Sequence, residues 1–219
     1  MTFKISFIEN TIETSNEYVR CLEIENKNYF YRVVKLLNDY FNNQDIEEEL
    51  IITEKLNFKI VTDYFNIDLN DKKTINLITK YIKEHIDETN YENLLKNYQK
   101  LNKIFQLAVM ESINLPIVTE KNVNLDNIIK VMNIKITEEG NLLKKLYTLI
   151  DLITELQNYE LLIFVNLKQF LSKEELNEYY KYAIYNHVSL LLIDNISYGI
   201  AQNYEKKLII DDNLEEFIV

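Results

Sequence analysis

The chain has 219 residues, 47% apolar and 27% charged, with two glycines, one proline and a single cysteine, Cys21. This composition suits a globular protein with a sizeable core; one cysteine excludes an intramolecular disulfide and any cysteine-based zinc centre. The formal net charge is −11, which speaks against a nucleic-acid partner unless the charge is unevenly spread. It is uneven: Lys72 to Lys145 holds 12 Lys and 9 acidic residues, net +3, and the rest holds 12 basic and 26 acidic residues, net −14.

In chain order, Phe3–Ile8 alternates as a strand and Tyr18–Glu25 is a second strand-like run. A helix follows over Asn28–Phe41, with Phe30, Val33, Val34, Leu37 and Phe41 at helical spacing and Asn26 or Asn28 as cap. The acidic stretch Asp45–Glu49 leads into the strand-like runs Leu50–Thr53 and Phe58–Val61.

The middle of the chain reads as helical. Asp71 caps a helix over Lys72–Asp87. Thr89 and Glu92 have the spacing of a capping box for a helix ending near Ser112. That helix carries an apolar stripe at Leu94, Tyr98, Leu101, Phe105 and Ala108, with Lys96, Lys100 and Lys103 opposite. Pro116 interrupts the pattern; a short helix, Leu125–Met132, precedes Asn133–Thr137, which is strand-like or extended. Gly140 separates this from a helix over Leu142–Gln157.

The last part alternates strand and helix. Leu161–Val165 is continuously apolar, as in a strand buried on both faces of a parallel sheet. Ser172 and Glu175 form a capping box, and Asn186 can end that helix with positive φ. Val188–Ile193, Lys207–Ile210 and Phe217–Val219 follow as strands. The expected architecture is α/β: a nucleotide-hydrolase-like mixed-sheet head built from both termini (1–62 and 149–219), with an inserted α-helical domain (63–148).

The chemistry is tested by elimination. A phosphate-wrapping loop needs glycines between a strand and a Lys-Ser/Thr pair. Gly140 and Gly199 supply neither that loop nor a dinucleotide-binding turn. Asn166, not an acid, ends the apolar strand where a nucleotide hydrolase keeps a metal-binding carboxylate. His85 and His187 have no metal-ligand spacing, and Ser189 and Ser197 lack nucleophile-elbow glycines. The adjacent acid pairs Glu138–Glu139, Glu174–Glu175 and Asp211–Asp212 do not converge on a point. No catalytic constellation emerges, and the chain is expected not to be an enzyme. Its first residues lack the charged head and apolar run of a signal peptide, and no apolar run is long enough to span a bilayer, so a cytoplasmic protein is expected.

Two stretches, LNFKIVTDYFNIDLN (56–70) and YELLIFVNLKQFLSKEEL (159–176), together with HVSLLLID (187–194), resemble the small CRISPR-associated protein with which type II-A systems acquire new spacers. The resemblance implies an α/β head that has lost its active site, an inserted helical domain, and a homotetrameric ring. It implies that the ring binds double-stranded DNA ends without sequence preference, threads the duplex through a basic lumen, and works in antiviral defence beside the spacer integrase and the guide-RNA nuclease. A ring that is acidic outside and basic inside accommodates a net negative charge. Lysine contacts to phosphate carry no sequence information, and with Arg20 and Arg32 as its two arginines the chain is poorly equipped for specific base reading.

The candidate DNA-binding residues are Arg32 and Lys35, one turn apart on the first helix; Lys55 and Lys59, after the acidic stretch; and the stripe Lys96, Lys100 and Lys103. The resemblance places the basic residues of the head in the lumen, whereas the stripe rests on helical spacing and also reads as a solvated helix face. The resemblance further implies calcium, for which Glu111, Glu120 and Asp126 are the available ligands in an acid-poor segment that Lys121 enters. Two readings compete: a divergent nucleotide hydrolase, and a protein-binding adaptor without DNA affinity.

Overall fold

The computed structural model describes residues 2–42, 50–52, 57–113, 124–137, 140–157 and 159–219. The chain divides into two compact units, one of Met1–Ile67 with Glu138–Val219 and one of Asp68–Thr137. The helix expected to straddle residue 148 lies whole within the first unit.

The first unit holds two sheets. Strands β1 (Thr2–Ile5), β2 (Ile12–Glu13) and β4 (Leu50–Ile52) form a small antiparallel sheet in the order β2-β1-β4. Strands β3 (Val19–Ile24), β5 (Phe58–Val61), β6 (Leu161–Val165), β7 (Ser189–Asp194), β8 (Glu205–Ile210) and β9 (Glu216–Ile218) form the main sheet, ordered β5-β6-β7-β3-β8-β9. All its pairs are parallel except β8 with β9. The first strand of this sheet therefore lies between the fourth and fifth. The chain leaves β3 toward the β5 edge and leaves β7 toward β8, which makes the β3/β7 boundary a topological switch point.

Both faces of the sheet are covered, as its continuously apolar central strands require. On one face, helix α1 (Lys27–Phe41) buries Val33, Leu36 and Leu37 in a cluster with Phe3, Ile5 and Ile12 of the small sheet and Leu22, Ile163 and Leu191 of the main sheet. On the other lies helix α6 (Lys173–Tyr185), whose Tyr179 ring meets Phe164 edge-on at 5.8 Å. Helix α5 (Leu142–Leu156) packs against α6, with Tyr147 4.7 Å from Tyr182. The capping box of α6 forms as expected: Ser172 Oγ accepts from the Glu175 amide, and the Glu175 carboxylate accepts from the Ser172 amide.

The second unit contains α2 (Lys72–His85), α3 (Glu88–Ser112) and α4 (Leu125–Met132). Asn70 closes it locally, accepting from the Ile136 amide at 2.7 Å and donating to the Ile136 carbonyl at 3.1 Å. The run 133–137, expected to be strand-like or extended, forms no strand.

Two boundaries differ from the sequence reading. Helix α3 begins at Glu88 because Asp87 caps it, its carboxylate accepting from the Asn90 amide at 2.8 Å. An aspartate two residues upstream thus pre-empts Thr89. At the end of α6 the left-handed residue is His187 (φ 56°), whereas Asn186 sits at φ −88°. Asn186 instead donates its side-chain amide to the Tyr182 carbonyl, so the turn needs left-handed backbone one residue later.

Candidate nucleic-acid interface

In open α/β sheets the ligand crevice opens at the carboxyl ends of the strands, at the switch point. Here that crevice lies beside the ends of β3 and β7, where Glu23 and Asp194 are register partners. A nucleotide site there would need a loop between β3 and α1 long enough to wrap phosphates. The connection is two residues, Glu25 and Asn26. Both are committed: the Glu25 amide donates to the Ile210 carbonyl, and Asn26 Oδ1 caps α1 by accepting from the Tyr29 amide.

The protein's own charges pair along the sheet here, from Glu23 near the carboxyl end of β3 to Glu205 at the amino end of β8. Lys168, in the 3-10 turn Leu167–Gln169 after β6, places its ammonium 3.1 Å from Glu23 Oε1 and 2.9 Å from Glu205 Oε1. Lys207 of β8 lies 2.8 Å from the same Glu23 oxygen and donates to the Gly199 carbonyl. Glu23 Oε2 accepts from Ser197 Oγ and the Tyr198 amide, so the segment after β7 closes over the pair. Glu205 also accepts from Tyr180 Oη and the Gln202 amide. All four side chains are essentially buried. Such a network holds only when its partners are all present.

The titration behaviour follows. Burial alone would lower the Lys168 pKa, but the neighbouring carboxylates hold it above the ordinary lysine value. Burial would raise Glu205, but Lys168, the Gln202 amide and Lys207 together outweigh it, so that carboxyl sits below its usual value. Burial pushes the Cys21 thiol well up, which keeps it protonated and unreactive. Asp194 is the exception. It is fully buried, and neither carboxylate oxygen has a hydrogen-bond partner in the protein. Burial pushes its pKa up to about 7; Lys168 opposes the shift, and Glu23 and Glu205 add to it.

Asn166 ends β6 in a left-handed conformation (φ 60°). Its amide donates to the Ile193 carbonyl at 2.8 Å, and its Oδ1 accepts from the Asn195 amide at 3.1 Å. The residue that replaces the expected acid thus ties the ends of β6 and β7 together.

The predicted DNA-binding residues fall in separate places. Arg32 and Lys35 are both exposed on one flank of α1, and the Arg32 guanidinium lies 3.9 Å above the Phe7 ring, which orients it. Lys59 is half-buried on β5, the edge strand of the main sheet. Lys55 lies outside the described residues. Lys96, Lys100 and Lys103 are exposed along α3, with Lys96 paired to Glu92 at 3.1 Å. Of the apolar stripe expected on the same helix, Leu94 and Tyr98 are half-buried and Leu101, Phe105 and Ala108 are exposed.

Of the metal candidates, Glu120 lies outside the described residues. Glu111 is exposed in the last turn of α3. Asp126 opens α4 and is ion-paired with Lys83. Among the described residues no group of three or more His, Cys, Asp or Glu converges. Calcium takes about six to eight oxygen ligands, so the described residues do not by themselves make up such a site. No helix of the described chain is long and apolar enough to cross a membrane.

Sequence reading missed the buried network. Its signal was present: Glu23 in the run VRCLEI, Asp194 closing SLLLID and Lys207 in EKKLII place charges in strands otherwise made to be buried.

Comparison with known proteins agrees with this architecture. A search of curated proteins gives no match. Among solved structures, the crystal structure of Stu0660 of Streptococcus thermophilus superposes with a TM-score of 0.60 at 15% identity, covering 99% of this chain and 76% of that one; at that identity the likeness establishes the fold. The family model described as "CRISPR-associated protein (Cas_Csn2)" matches residues 34–214, all of the helical unit and most of the α/β one. The chain belongs to the Csn2 family of CRISPR-associated proteins.

Proposed function

We propose that this protein serves CRISPR adaptation as a non-catalytic, sequence-independent binder of double-stranded DNA ends. Four copies form a ring with a lysine-lined lumen, beside the spacer integrase and the guide-RNA nuclease. The observation that carries the reading is the lost phosphate site: the two-residue connection after β3 is committed to the fold, and the Glu23 carboxylate near the carboxyl end of β3 is held by Lys168 and Lys207. A scaffold so closed has its surface left for binding. The exposed pair Arg32 and Lys35 on α1 and the exposed stripe on α3 suit phosphate contacts, which neutralise charge and release counterions.

The test compares linear and covalently closed circular duplex of one sequence in a mobility-shift assay. Loading at ends predicts retardation of the linear form, and equal retardation of both would refute threading. In the same assay Arg32→Glu with Lys35→Glu should weaken binding alike across unrelated sequences and shallow the salt slope by about two, one per lost phosphate contact. An unchanged slope would remove these residues from the lumen.

A further inference from the structure

The helical unit carries a groove for which the DNA-binding reading has no use. Helices α2 and α4 enclose a cavity of about 480 Å³. Ile75, Ile129 and Ile134, buried or half-buried, form its floor, and the exposed Lys80, Lys83 and Lys130 form its rim. A second cavity of about 510 Å³ continues it along α2, sharing Asn76 and Lys80 and adding Lys72, Lys73 and Leu77. From residue 72 to residue 83 the combined groove follows α2 for about 16 Å, three helical turns.

We propose that this groove docks an acidic amphipathic helix of a partner protein. Charge complementarity names the occupant: among the described residues the two cavities are lined by five lysines and one carboxylate, Asp126. Two pairs at the rim are replaceable. Lys80 meets Glu84 at 3.8 Å with both side chains more than half exposed, and Lys83 meets Asp126 at the groove edge. Exposed pairs of this kind contribute little, so carboxylates from a partner can take their place. The isoleucine floor separates a peptide from a nucleic acid. A duplex presents phosphates and needs no apolar slot, whereas a helix sets apolar side chains at i, i+3, i+4 and i+7 into a groove and its acids against the rim. The length suits about three turns of helix, and each cavity has the size of an ordinary ligand site, about 300–1,000 Å³.

The test uses two fluorescein-labelled peptides of identical Leu/Glu composition, one patterned as an amphipathic helix and one scrambled. Binding to the full chain is followed by fluorescence anisotropy. The patterned peptide should saturate the protein and bind about tenfold or more tighter than the scrambled one; Lys80→Glu with Lys130→Glu, both exposed, should weaken it about tenfold or more. An unchanged melting temperature shows that the variant is folded. Equal binding of the two peptides, or none, would overturn the proposal. So would a variant that keeps peptide affinity but loses duplex affinity, since that assigns the lysines to phosphate. Failure here leaves the end-loading test untouched, because that test varies the form of the duplex and, in its variant arm, residues of the α/β unit.

Discussion

Asp194→Asn isolates the cost of a carboxylate that the fold leaves without a partner. Asp194 is fully buried, both its oxygens are unbonded, and its folded pKa lies near 7 against 3.8 for the free side chain. The folded chain therefore binds a proton that the unfolded chain has already released, and stability falls as pH rises from about 4 to about 7. Asparagine keeps the shape and cannot ionise. Between about pH 5 and pH 8 the wild type loses roughly two units of this linkage, at about 1.4 kcal/mol per unit, or about 3 kcal/mol that the variant retains. Urea denaturation of both proteins at the two pH values measures it. Taking the difference between wild type and variant at each pH cancels every other titrating group. The gap should widen toward high pH by about 3 kcal/mol in favour of Asp194→Asn. Parallel pH–stability curves would show that Asp194 is ionised and satisfied in the folded protein, and would refute the reasoning.

Glu23→Gln should have the opposite effect. It removes the charge shared by Lys168 and Lys207, leaving buried cations underpaired, so a loss of about 3–5 kcal/mol is expected in urea; a loss below about 1 kcal/mol would mean that Glu205 alone compensates. Asn166→Ala removes the acceptor for the Asn195 amide and places alanine in left-handed backbone, which should cost about 1–3 kcal/mol by thermal unfolding. If Asn166→Asp, which keeps the acceptor, is destabilised equally, that hydrogen bond is not the cause. For calcium to bind through Glu111, Glu120 and Asp126, the metal must displace Lys83 from Asp126. Lys83→Gln should then tighten calcium binding in isothermal titration calorimetry, and equal affinity in both proteins would exclude Asp126 as a ligand.

The sequence by itself determined the local elements and what they lack. Apolar runs such as Leu161–Val165 can be satisfied only by burial on both faces, and Asn26, Asp71 and Ser172 cap their helices through one nearby amide each. These are interactions within a few residues, so spacing reveals them. The absence of a glycine loop was equally legible, because backbone that wraps phosphate has no common substitute. Tertiary structure decided the rest. Glu23, Lys168, Glu205 and Lys207 come from three separate segments, and only the strand order β6-β7-β3-β8 sets their side chains against one another. The lysines of α2 and α4 likewise read as ordinary solvated charges until two helices about fifty residues apart enclose isoleucines between them. Charge pairing and burial depend on distances that close through space, and no spacing along the chain encodes them.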